Sequence, residues 1–229
     1  MHFSLITPVA GQEREANHER LDGPYADHQW LWRWFPEDAS AQRDFLFRRH
    51  ESGAGVRYYL LSARPPAARL GAWQAQSRPY APQLTAGDRL TFELRANPTV
   101  RHGHDGKSKR HDVVMNAKRT LLAERGLARW GDWADAEKPA LQQLVREACS
   151  KWLVDKGSRL GFDVDMPSLM VEGYDQHLQQ RERNLRFTTV DLSGQLTVND
   201  PLAFEMAALR GIGSAKAFGC GLLLIRRAE

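Results

Sequence analysis

The chain has 229 residues, 42% of them hydrophobic and 26% charged, a balance that excludes collagen, coiled-coil and low-complexity chains and allows one large or two small folded domains. Its two cysteines, Cys149 and Cys220, lie far apart without CxxC spacing, which argues against a disulfide framework or a cysteine-rich zinc site and for a reducing, cytoplasmic compartment. The net charge of +4 is concentrated: residues 101–119 hold six of the 32 Lys/Arg and two of the 28 Asp/Glu, so the rest of the chain balances at 26 against 26.

In chain order, the N-terminus has no basic leader, and the longest apolar run, 221–225, is too short for a bilayer, so no membrane segment is expected. Residues 3–9 read as a strand and 27–35 as a short helix, capped by Asp27 and closed before Pro36. Residues 44–50 and 56–62 read as paired strands around Gly53-Ala54-Gly55, with a further strand at 72–76. The prolines at 79 and 82 mark a boundary, giving expected domains at 1–78 and 89–229 joined by a linker at 79–88. Beyond it RLTFELRA, 89–96, alternates with period two and stops at Asn97-Pro98. The cationic stretch 101–119 reads as a loop, and 138–152 as a helix with Leu141, Leu144, Val145 and Ala148 on one face. An extended stretch at 185–198, a helix at 201–209 opened by Pro201 and a strand at 221–225 complete the series. Each half mixes strands and helices in a β-α-β-β-α-β order, so the expected class is α+β with two tandem ferredoxin-like domains. The second helix of the first half is poorly marked.

Four groups of residues carry chemistry. On helical spacing His28, Leu31, Trp32 and Phe35 share a face, with Tyr25 three residues ahead of the imidazole and a helix N-terminus suited to an anionic substrate. The plainer alternative is a half-buried histidine beside tryptophans. Gly211, Gly213, Gly219 and Gly221 surround Lys216, yet neither the dinucleotide nor the GKS/T phosphate fingerprint fits. What is left is a turn that admits another backbone or RNA, or a tight helix-to-strand turn. His102-Gly103-His104 lacks a third ligand at convincing spacing, so no metal is expected there. The run 180–186, with Arg181, Arg183 and Arg186, leads into the long strand, as a lip for nucleic acid or as a salt-bridged edge.

Pro24-Tyr25-x-x-His28, Leu94-Arg95-Ala96-Asn97-Pro98, the Lys109-Arg110 loop and Gly211-Ile212-Gly213-x-x-Lys216-x-x-Gly219-x-Gly221 occur in that order, and together they resemble the CasE family. These are the CRISPR RNA processing endoribonucleases of the type I-E Cascade complex. The resemblance implies a RAMP-type pair of ferredoxin-like domains that cuts precursor CRISPR RNA at the base of each repeat hairpin without metal or cofactor. It also implies that the protein keeps the mature RNA as a Cascade subunit, beside a backbone subunit. By position it gives His28 the part of catalytic histidine and Tyr25 that of its partner. Arg33 falls where some members place a lysine near the scissile phosphate, and the 181–186 arginines fall near a hairpin that meets the RNA stem.

Cutting RNA without metal requires a deprotonated 2′-hydroxyl, stabilised non-bridging oxygens and a protonated leaving 5′-oxygen. Neutral His28 suits the first task and protonated His28 the third, while Tyr25 orients the ring or binds phosphate. Arg33 and Lys216 are candidates for stabilising the phosphate. Arg95, Lys107, Lys109, Arg110, Lys118, Arg119, Arg181, Arg183 and Arg186 are the candidates for binding RNA. The expected products are a 2′,3′-cyclic phosphate and a 5′-hydroxyl. The rival reading is a double-ferredoxin scaffold that holds the hairpin without cutting it. An enzyme acting on a small molecule would need a closed apolar pocket, which the placement of charge argues against.

Overall fold

The computed structural model describes residues 1–19, 24–35, 43–53, 55–104, 107–179 and 185–228, with the side chains of Pro24, Tyr25, His104, Lys107, Ser108, Gln179 and Leu185 outside the description. The chain divides into two compact units, each drawn from two stretches: Met1–Leu84 with Glu205–Leu223, and Thr85–Phe204 with Leu224–Glu229.

The first unit contains β1 (His2–Pro8), α1 (Glu13–Glu19), α2 (Pro24–Trp32), β2 (Phe45–Ser52), β3 (Gly55–Ser62), β4 (Arg69–Leu70) and β5 (Trp73–Pro79). Its strands lie in the order β2-β3-β1-β5-β4 and all its ladders are antiparallel. Helices carry the chain from β1 to β2, and β3 returns between them, which is the ferredoxin-like arrangement. The hairpin expected around Gly53-Ala54-Gly55 forms, with Phe45 opposite Ser62 and Ser52 opposite Gly55. Among the described residues no helix stands between β3 and β5; Pro65-Pro66 removes two backbone donors from that connection.

Helix α2 begins at Pro24, so Asp27 lies in its first turn and is not its cap. Proline suits that opening position because its missing N–H has no intrahelical partner there. The segment buries Asp27, Trp30, Leu31 and Trp34, spaced three and four apart, and Trp30 packs its ring on Trp34, Tyr58 and Trp73 at 5.6, 5.1 and 5.0 Å. Asp27, 2% exposed, accepts a hydrogen bond from Tyr58 Oη at 2.5 Å and faces Arg49 Nη1 at 3.6 Å. A buried carboxylate therefore fixes the helix to β2 and β3.

The glycine-rich segment, although far along the chain, packs with this first unit: its short turn Lys216–Phe218 lies on α2 and β2. Gly211 has φ +78°, and a Cβ there would stand 2.8 Å from Leu46 Cδ1. Ile212 N–H donates to Gly221 C=O at 2.9 Å, closing the loop on itself. The close backbone approach that the glycines permit is thus to their own loop.

The second unit holds β6 (Arg89–Ala96), β7 (Thr99–His104), β8 (Lys107–Asp112), α3 (Val113–Glu124), α4 (Leu141–Leu160), β9 (Phe162–Val164), β10 (Met170–Gln179), β11 (Leu185–Val198), part of α5 (Pro201–Arg210) and most of β12 (Leu223–Arg227). The order β10-β11-β6-β12, with β9 also on β11, repeats the arrangement of the first sheet. In β6 Leu90, Phe92, Leu94 and Ala96 are buried, as the alternation requires. Asn97 of the LRANP motif is also buried and donates to Thr188 C=O at 2.7 Å, so the motif ties β6 to β11. Gly161, at φ +82°, ends α4; a Cβ there would run into Asp200 C=O.

The stretch 101–119 is not the loop that its charge suggests. It forms the two-stranded ribbon β7-β8 and the start of α3. Asp112 caps α3 by accepting from Val114 and Met115 N–H, each at 2.9 Å. Among the described residues no helix is long and apolar enough to cross a membrane.

Candidate active site

His28 sits on α2 beside the buried stripe, half-buried against Phe45 at a ring separation of 5.8 Å. Trp32, one turn on, donates its indole N–H to His28 Nε2 at 3.2 Å, with the two rings edge to face. Because the indole can only donate, this bond selects the neutral tautomer with its proton on Nδ1. Nδ1 is buried and meets no hydrogen-bond partner among the described residues. Burial lowers the imidazole pKa from its ordinary value of 6.5, and the Arg43 charge lowers it further. The ring is therefore neutral at physiological pH and suited to accept a proton.

Arg43, just before β2, is itself half-buried, and loss of solvent lowers its pKa. With Lys216, Arg210, Asp44 and Phe45 it lines a cavity of about 380 Å³ within the first unit. Asp44 is engaged by Arg64 through Nε at 2.8 Å and Nη2 at 3.3 Å. Lys216 Nζ donates at 2.6 Å to Arg210 C=O, the last residue of α5, so its charge is held at a helix C-terminus on the wall of this cavity.

Tyr25 lies on α2 one turn ahead of His28, and its side chain is outside the description. Arg33 follows α2 directly and is exposed. Arg95 is held in a bidentate pair with Asp191 across β6 and β11, at 3.0 and 2.7 Å. Lys109 and Arg110 are exposed on β8, Arg119 is exposed on α3, and Lys118 lies 5.0 Å over the Trp130 ring. The β7-β8 register places Arg101 with Arg110 on one face of the ribbon and His102 with Lys109 on the other. Arg186 is exposed at the start of β11, while Arg181, Arg183 and the Lys107 side chain lie outside the described residues. Gly211, Gly213, Gly219 and Gly221 all have positive φ. His102 Nε2 pairs with Asn116 Oδ1 at 2.7 Å, and among the described residues no group of three or more His, Cys, Asp or Glu is placed to hold a metal.

Trp32 shares the helical face read for His28, whereas Arg43 stands outside every group read from the sequence. Trp32 comes four residues after His28, the spacing at which helical side chains meet, so its contact is open to inference from the sequence. Arg43 carries no local signal; only the return of β2 beside α2 brings it to the imidazole.

A model of a family described as CRISPR associated protein matches residues 1–227. The Cascade subunit CasE of Escherichia coli K12 is 30% identical over 201 residues, covering 87% of this chain and 89% of that one. The CRISPR-associated endoribonuclease Cse3 of Thermus thermophilus is 25% identical, covering 96% of this chain and 98% of that one. Among solved structures, Cas6e of E. coli K-12 superposes with a TM-score of 0.60 at 22% identity, with all of both chains covered. Thermus thermophilus Cse3 bound to an RNA representing a pre-cleavage complex gives 0.64 at 21%, with 98% of each chain covered. The topology of the two sheets agrees with these folds, and the match along nearly the whole length settles the kinship: the chain belongs to the CRISPR-associated protein family that includes CasE.

Proposed function

We propose that the protein is a metal-independent endoribonuclease that cuts precursor CRISPR RNA at the base of the repeat hairpin and keeps the product as a Cascade subunit. The observation that carries this reading is His28, an imidazole kept neutral by burial and a neighbouring cation, beside a cation-lined cavity, in a chain 30% identical to a Cascade subunit.

The reaction starts when the 2′-hydroxyl displaces the Trp32 N–H from His28 Nε2. At 3.2 Å that hydrogen bond is at the long end of its range, so the exchange is inexpensive. The 2′-oxygen then attacks phosphorus as its proton passes to Nε2. The P–O5′ bond breaks, giving a 2′,3′-cyclic phosphate and a 5′-hydroxyl whose proton comes from water or from the imidazolium. Tyr25, one turn from His28, orients the ring or binds the phosphate, and Arg33 and Lys216 add positive charge. The ribbon cations Lys107, Lys109 and Arg110, with Lys118, Arg119 and the 181–186 arginines, hold the RNA backbone. Arg95 supports the sheet through Asp191 and reaches RNA only if that pair opens. The reading places the protein in the cytoplasm, with the CRISPR repeat hairpin and the other Cascade subunits, a backbone subunit among them, as partners.

The test is incubation of the repeat hairpin with purified protein in EDTA, wild type beside His28→Ala, with a substrate carrying a 2′-deoxy sugar at the scissile nucleotide. Cutting by wild type alone, and only of the all-ribose RNA, is expected. Tight binding that leaves the RNA intact would replace this reading with the scaffold, and equal cutting by His28→Ala would remove the imidazole from the mechanism.

A further inference from the structure

The residues assigned above leave open what meets the charge that builds on the phosphate in the transition state. Arg33 is exposed beyond the end of α2, and Lys216 already donates to a helix C-terminus. Arg43 differs from Arg33 in its burial, which Lys216 shares. It is partly withdrawn from water, and no carboxylate pairs with it among the described residues. The adjacent Asp44 is taken up by Arg64 in a two-point contact. An arginine partly stripped of solvent, with no counter-ion among the described residues, is a costly arrangement that a ligand supplying the anion would relieve. Its planar fork matches two phosphate oxygens better than any other side chain.

The surroundings point the same way. The cavity of about 380 Å³ that Arg43 lines carries three cations, Arg43, Arg210 and Lys216, against the single carboxylate already engaged. Phe45 forms part of its wall, and the same ring packs against His28 at a ring separation of 5.8 Å. The volume is in the range that holds a nucleotide-sized group, roughly 300 Å³ and upward.

We propose that this cavity receives the scissile phosphodiester and that Arg43 is a catalytic residue, its guanidinium bracing the two non-bridging oxygens while His28 takes the 2′-hydroxyl proton. The inference rests on the endoribonuclease reading and adds to it a group that the sequence motifs do not contain. In the attack the 2′-oxygen bonds to phosphorus, its proton goes to His28, and the 5′-oxygen leaves and is protonated. Arg43 exchanges no proton and acts by charge and geometry. The same charge keeps His28 deprotonated before substrate arrives, and the incoming phosphate cancels it, so the imidazole becomes a stronger base as the RNA binds.

Arg43→Gln, which leaves a shorter polar side chain and removes charge, and Arg43→Lys, which keeps charge and removes the fork, are compared with wild type and His28→Ala. The readouts are single-turnover cleavage at saturating protein and binding of the 2′-deoxy hairpin. Losing a preorganised donor to a developing oxyanion lowers the rate by about 10²-fold, so that loss is expected for Gln, with Lys between Gln and wild type. Binding of the 2′-deoxy hairpin is expected to stay within about threefold of wild type, because one phosphate contact is a small share of a grip spread over many cations, whereas the rate reads the charge that builds only during attack. Without RNA, the His28 imidazole pKa of the Gln variant, read by proton NMR, is expected above that of wild type. Arg43→Gln cutting at the wild-type rate, beside an inactive His28→Ala, would overturn this inference and leave the endoribonuclease reading standing. Loss of 2′-deoxy hairpin binding in Arg43→Gln would make Arg43 a binding or folding residue and also overturn it. Failure of wild type to cut would overturn the endoribonuclease reading itself, and this inference with it.

Discussion

At the residue scale the site depends on how one imidazole is held. Trp32 stabilises the neutral ring by donating to Nε2, so Trp32→Phe, which keeps a ring on Phe45 and loses the N–H, removes a bond made only to the uncharged form. The His28 pKa of the RNA-free protein, read by proton NMR, is expected to rise in Trp32→Phe; an unmoved pKa would mean that the indole only packs. The two cysteines are buried, and burial together with Asp112 pushes the Cys149 thiol up to about 12. A thiol so protonated is a poor nucleophile, which makes native Cys149 unreactive toward alkylating reagents that label it once the chain is unfolded.

At the element scale α2 carries both the core of the first unit and the imidazole. Trp30→Ala removes the ring that packs on Trp34, Tyr58 and Trp73, and the expected loss is about 3–5 kcal/mol of stability by chemical denaturation. Much of this layer is legible in the amino-acid sequence. The alternation of RLTFELRA, the long stretch ending at Val198 and Pro201 at the head of a helix mark β6, β11 and α5 nearly to the residue. Elsewhere local charge outweighs the structural signal. Asp112 followed by Val113-Val114-Met115 is a helix start, but the six cations around it give the stretch the look of a basic loop. Strand β10 escapes a reading by hydrophobic pattern because VEGYDQHLQ is polar, as suits the edge of a sheet, where few side chains need burial. Asp27 reads as a cap because its place near the start of the helix is visible in the sequence and its buried contacts with Tyr58 and Arg49 are not.

At the scale of the whole molecule the two units do not follow the chain. Residues 205–223 complete the first unit after the second has formed most of its sheet, so a change in this late segment should be felt in the early core. Gly211→Ala combines a left-handed φ with a contact on Leu46 and is expected to lower the unfolding midpoint of the first unit, followed through Trp30, Trp34 and Trp73. Composition locates the cations of the second unit but not their arrangement on two faces of a ribbon. If those faces meet RNA phosphates, Lys109→Ala weakens hairpin binding and lowers the slope of log affinity against log salt by about one. His28 is reachable from its motif, whereas Arg43, separated from it by fourteen residues and a change of element, becomes visible only through the fold.

The most direct measurement of the central claim is the pH dependence of single-turnover cleavage by wild type at saturating protein. An imidazole held neutral and acting as base predicts a rate that is flat at high pH and falls about tenfold per pH unit below the pKa that His28 takes in the complex. A rate that climbs as the pH drops through that range would show that the protonated ring does the work, and would contradict the account.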